Sequence, residues 1–154
     1  MDFSQEYILM CEKAEDVQKK WKPKEWDYHY GIKNSTCDNE GIVWCIVPDR
    51  ISDSGYYGIS PENFDEEGKD RYDKIIWLPR QDQLQEMIGR NQVKYFYTDF
   101  GEYQSEKLKN HWELYREPHE NEQYRYDGDS IEQCFLRVIM KEKYNKIWDN
   151  ENWT

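Results

Sequence analysis

The sequence holds no CxxC pair, no HExxH, no glycine-rich phosphate loop and no nucleophile elbow. Each absence excludes a chemistry. The four cysteines, Cys11, Cys37, Cys45 and Cys134, are too scattered for a zinc site, and Cys11 and Cys134 read as small core residues on apolar helix faces. The three histidines, His29, His111 and His119, include no i, i+4 pair, so no metal is expected and each reads as structural or superficial. Nothing points to catalysis or to a cofactor. No apolar run approaches the length of a membrane span or a signal peptide, and the chain reads as cytoplasmic with reduced thiols.

Positive charge is also scarce. Lys and Arg number 21 against 32 Asp and Glu, for a net charge of −11 and a pI near 4.8. Such a field repels nucleic acid and anionic membrane, so neither is an expected direct partner. A protein with a basic surface is the natural complement, although acidic surfaces also simply aid solubility. Apolar residues are few, at 37%, and mean hydropathy is −1.18. Those values alone suggest disorder. Seven Trp and thirteen Tyr argue otherwise, because aromatic side chains bury large areas. At 154 residues the expectation is one domain with an aromatic core.

Periodicity supplies the elements. Phe3, Tyr7, Met10, Ala14, Val17 and Trp21 form one apolar stripe, which predicts a helix over the first twenty residues, capped by Asp2 with Gln5 and stopped by Pro23. Trp26–Tyr30 and Ile42–Pro48 read as strands about a polar turn, hence a hairpin. A long segment, Asp49 to Asp73, carries Tyr56 and Tyr57 beside glycines and then an acidic run. That run lacks the alternating oxygens of a calcium loop. It is the best candidate for docking a basic partner, and a solvated acidic loop is the plainer account.

"KIIWLPRQDQLQEMIG" reads as a strand, then Pro79 at a helix start, then an apolar face of Leu84, Met87 and Ile88 stopped by Gly89. Arg80 and Asp82 stand at that helix start, where backbone N–H groups cradle anions. The plainer account has Arg80 tying down a carboxylate while Asp82 caps the helix. "VKYFYTDF" fits strand or helix. Glu102–Glu117 looks helical and "HENEQYRYDGD" looks like a loop. Ser130 with Gln133 opens a last helix, with Ile131, Cys134, Phe135, Val138 and Ile139 inward. Two Trp about an Asp-Asn turn then fit a small terminal hairpin or a packed aromatic tail. The fold class expected is α+β, a small antiparallel sheet packed with three or more helices.

Three blocks carry a resemblance: "MCEKAEDVQKKWKPKEWDYHY", "IIWLPRQDQLQEMI" and "SIEQCFLRVIMKEKYNKIWDNENW". Their order and wording, over half the chain, resemble small phage- and prophage-encoded proteins of Firmicutes. Here Trp26-Asp27 stands where that pattern has Gly-Asp. The resemblance implies a setting and transfers no catalytic residue.

From that setting and the charge, the expected function is a phage accessory protein that binds a host protein, in the manner of an anti-CRISPR inhibitor of a nucleic-acid-binding defence effector. Asp65, Glu66, Glu67 and Asp70, with Tyr56 and Tyr57, would meet its basic groove in the host cytoplasm. The alternative is a small protein or enzyme for a nucleotide or signalling molecule, with Arg80, Gln81 and Trp77 forming an anion pocket. A virion or replication accessory component is the third expectation.

Overall fold

The computed structural model describes residues 1–32, 41–46, 74–88, 95–99, 111–119 and 122–154. The fold class is α+β. Among the described residues are four helices and two three-stranded antiparallel sheets. The chain divides into two compact units, Phe3–Pro79 and Met1–Asp2 with Arg80–Thr154.

The first unit opens with two helices, not one. Helix α1 spans Gln5–Lys13 and α2 spans Glu15–Gln18. The stripe misleads because it continues across the break: Tyr7, Met10, Cys11, Ala14 and Val17 are all buried. Ala14 leaves the helical region at φ −81°, ψ 58°. The side-chain amide of Gln18 donates to the Cys11 carbonyl next to the break, at 3.0 Å. Ser4 caps α1, accepting from the Tyr7 N–H at 3.1 Å, in place of the expected Asp2. Phe3, expected in the stripe, is exposed and packs its ring on Tyr28.

Strands β1 (Tyr28–Ile32), β2 (Ile42–Cys45) and β3 (Lys74–Leu78) form a sheet in the order β2-β1-β3. The expected β1–β2 pairing holds, with His29 opposite Trp44. His29 is also opposite Trp77 of β3. The first strand starts two residues later than expected, because a turn precedes it. Asp27, buried, accepts from Trp21 Nε1 at 2.8 Å and from the Lys24 N–H at 3.0 Å. Trp26 is left at φ 67°, a region that glycine favours. This is the position at which the resemblance expects glycine. Tyr7 Oη donates to the Pro79 carbonyl at 2.6 Å and fixes α1 to the end of β3.

The second unit begins with α3 (Gln81–Ile88), which buries Leu84 and Ile88 as expected. Arg80 holds the cap position and Pro79 precedes it, two places before the first helical position that the sequence suggests for it. Strands β4 (Tyr95–Asp99), β5 (His111–His119) and β6 (Glu122–Gly128) pair antiparallel in the order β4-β5-β6.

Two expectations fail here. The helix read from Glu102 to Glu117 is replaced over its described part by β5, and the loop read over His119–Asp129 is mostly β6. "HWELYRE" satisfies a period of two as well as a helical one, and Trp and Tyr favour strands. Pro118, expected to end a helix, lies where the β5–β6 register shifts between Arg116 and His119.

Helix α4 (Ile131–Tyr144) carries the core of this unit, burying Cys134, Phe135, Leu136, Val138, Ile139 and Met140. Ser130 caps it, accepting from the Gln133 N–H at 3.1 Å. Asp2 reaches the same turn and accepts from Ser130 Oγ at 2.5 Å and Gln133 Nε2 at 3.0 Å. Asn145 ends α4 in the left-handed region, φ 54°, ψ 38°. The Lys146 N–H donates to Met140 O and the Asn145 N–H to Lys141 O, both at 3.0 Å. The Asn145 bond is the 5→1 bond of a left-handed C-cap, the Lys146 bond reaches one carbonyl further back, and together they reverse the chain. Of the two forms expected for the terminus, the hairpin follows, with Ile147 and Thr154 exchanging backbone hydrogen bonds at 2.7 and 2.9 Å. Asp149 Oδ1 closes its tip by accepting from the N–H groups of Glu151 and Asn152. Those two bonds hold the Asp149 carboxyl below its usual range.

Candidate functional site

Asp65, Glu66, Glu67, Asp70, Tyr56 and Tyr57 lie outside the described residues. Of the alternative anion set, Arg80 and Gln81 stand together at the start of α3. The Arg80 guanidinium forks onto Asp82, Nε to Oδ1 at 3.0 Å and Nη2 to Oδ2 at 3.1 Å. The Arg80 hydrogen bond is the largest cause holding the Asp82 carboxyl below its usual range, and the backbone N–H groups of Asp82 and Gln83 add to it. Gln83 Oε1 accepts from the Arg80 N–H at 2.9 Å. The chain's own carboxylate therefore holds the place that an anion would take at this helix start.

Trp77 belongs to the core of the other unit. It is 4% exposed and its ring stacks on Trp21, with centroids 5.9 Å apart and planes 4° from parallel. An indole in that position offers no open stacking face to a ligand.

A different group of residues surrounds an open cleft of about 410 Å³ in the second unit. Helix α4 supplies Arg137 and Lys141, one turn apart on one face. The left-handed turn at Asn145 brings Lys146 to the same cleft. The terminal hairpin adds Ile147, Trp148 and Trp153, and β6 adds Tyr126 and Asp127. Lys141 Nζ donates to Asn145 Oδ1 at 3.1 Å, which fixes it at the turn. The two indoles pack at a tilt, centroids 5.0 Å apart and planes 52° from parallel. Trp148 is 5% exposed, and its Nε1–H has no acceptor among the described residues.

Among the described residues, three cations and one carboxylate thus line this cleft beside an indole wall, in a chain whose net charge is −11. Sequence reading missed this set. The i, i+4 spacing of Arg137 and Lys141 was visible, but it reads as a solvated helix face until Asn145 reverses the chain. A shallower cleft of about 250 Å³ in the first unit is lined by Glu12, Glu15, Gln18, Lys19, Lys74 and two isoleucines. There Lys74 pairs with Glu12 and Lys19 with Glu15, so its charges are already matched internally.

Among the described residues, no group of three His, Cys, Asp or Glu could hold a metal ion. Nor is any helix among them long and apolar enough to cross a membrane. Comparison with protein-family models finds no match, and comparisons with curated proteins and with solved structures find none either.

Proposed function

We propose that this chain acts by binding, and that it binds a small anion carried on a flat apolar group. The carrying observation is the convergence of Arg137, Lys141 and Lys146 on one cleft walled by Trp148 and Trp153. Each of these cations attracts an anion that enters the cleft. The indoles supply apolar area and a cation-friendly face, the usual composition of a small-molecule site with a few placed polar groups. Among the described residues of the lining there is no histidine, cysteine or serine, which suits recognition better than nucleophilic chemistry.

Titration calorimetry tests this with inorganic phosphate, indole-3-acetate, ribose 5-phosphate and nucleoside monophosphates. Saturable binding of at least one of them, weakened about tenfold by Lys146→Gln and by added salt, supports the reading. Absence of binding across the whole set overturns it.

The charge of −11 favours a second reading, in which the surplus carboxylates dock on a basic host protein such as a nucleic-acid-binding defence effector. Such a protein works in the host cytoplasm without touching nucleic acid or membrane itself. Neutralising Asp65, Glu66, Glu67 and Asp70 together would abolish capture of that effector on this reading. Capture that survives unchanged contradicts it.

A further inference from the structure

We infer that the turn between α2 and β1 docks a short acidic segment of a partner protein. Trp26 is its apolar anchor, and Lys19, Lys20, Lys22 and Lys24 are its charged contacts. This surface lies wholly within the first unit and does not depend on the reading of the cleft above.

Charge carries the first argument. Basic residues are outnumbered in this chain, 21 against 32, yet four of the six positions from Lys19 to Lys24 are lysine. All four are exposed. Lys19 pairs with Glu15 at 3.2 Å, but the two side chains are 70% and 75% exposed, and such a surface pair is worth little. Among the described residues no carboxylate pairs with Lys22 or Lys24. Glu25 is the one exposed acid from Lys19 to Asp27. Asp27 itself is buried, with its Oδ2 committed to Trp21 Nε1 and the Lys24 N–H. The patch is therefore positive at the surface, against the sign of the whole chain.

Preorganisation supplies the second. One oxygen, Asp27 Oδ2, gathers the Trp21 indole at 2.8 Å and the Lys24 N–H at 3.0 Å, which closes the chain between them and keeps Lys22 and Lys24 on one small loop. The Trp26 N–H donates to Ile46 O at 2.6 Å, and the Ile46 N–H donates to Asp27 O at 2.9 Å. The Trp21 ring is stacked on Trp77. On this support Trp26 is 49% exposed at φ 67°. A sparsely populated backbone conformation that its surroundings hold in place is typical of ligand clamps. A rigidly supported indole is also the favoured anchor of a protein interface, because little freedom is lost when it is covered.

The class of partner follows from the size of the patch. Single-stranded nucleic acid is held by successive aromatic side chains along a basic groove. Of the described side chains, Trp26 is the one exposed indole. A long polyanion or an anionic membrane also extends beyond the lysines and meets the field of a chain whose net charge is −11. A short acidic segment touches the patch alone, and at physiological salt charges more than about 8 Å away are largely screened. It needs carboxylates for the lysines and one apolar side chain for the indole.

Fluorescence anisotropy on the full chain tests this with the labelled peptide Glu-Asp-Glu-Phe-Glu-Asp-Glu. The expected result is saturable binding that weakens as salt rises, and none by the same peptide with Gln and Asn in place of Glu and Asp. Lys22→Gln together with Lys24→Gln should weaken it about fivefold at low salt and hardly at all at high salt. Trp26→Gly removes the ring at a backbone position that suits glycine, and should weaken it about tenfold at either salt. Labelled oligothymidylate or phosphatidylserine vesicles, held through Lys22 and Lys24 more tightly than the peptide, would overturn the class of partner. No saturable binding of the peptide, or binding that none of these substitutions changes, would overturn the surface itself.

Discussion

The side-chain amide of Gln18 meets both backbone groups of Trp77, accepting from its N–H and donating to its carbonyl, each at 2.9 Å. One side chain thus does what a neighbouring strand residue would do along the outer side of β3, which closes its sheet in the order β2-β1-β3. The same Nε2 also serves the Cys11 carbonyl beside the break in the first helices. Gln18→Met keeps the length and removes all three bonds. The expected loss is about 2–4 kcal/mol, with faster hydrogen exchange at the Trp77 amide. Urea unfolding checks it, and a loss under about 0.5 kcal/mol would contradict the role assigned to Gln18.

His29 links stability to pH. Burial, opposed by the nearby Asp27 carboxylate, pushes its imidazole down to about 4. In the unfolded chain it titrates near 6.5, so between those values the unfolded state binds a proton that the folded state refuses. Stability therefore falls as pH drops below about 6.5 and stops falling on this account below about 4, a total of about 3 kcal/mol. Urea midpoints at pH 7.5 and 4.5 measure it. His29→Phe should lose clearly less than the parent across that interval, and an equal loss in the two proteins would refute the assignment.

Trp26 tests the strained turn. Its indole is 49% exposed and its φ is 67°. At an ordinary position alanine is more stable than glycine, while at positive φ the order inverts. Trp26→Gly and Trp26→Ala remove the same ring, so their difference isolates the backbone. The glycine variant should be the more stable by about 1 kcal/mol. Thermal unfolding of the pair checks it, and a more stable alanine variant would mean that the turn is unstrained.

Local signals were legible in the sequence and assembled ones were not. The strand, Pro79 and helix of Lys74–Ile88, the Ser130 cap and the Trp148–Trp153 hairpin all rest on residues a few positions apart, where turn and cap chemistry decides. The break at Ala14 escaped because the buried stripe runs straight through it. Strands β5 and β6 escaped because polar, tyrosine-rich segments satisfy helical, strand and loop patterns alike. The cationic cleft escaped for a different reason. Arg137 and Lys146 become neighbours of Trp153 only once Asn145 turns left-handed, and composition says nothing of where three lysine or arginine side chains will meet.

The direct measurement of the central claim is the two-dimensional NMR spectrum of the indole Nε1–H groups, with indole-3-acetate, ribose 5-phosphate and nucleoside monophosphates titrated in turn. Seven tryptophans give seven separate reporters. The account predicts that the Trp148 and Trp153 signals shift and saturate together while those of Trp21, Trp26 and Trp77 stay in place. Signals that stay still at Trp148 and Trp153, or shifts confined to the other indoles, would contradict it.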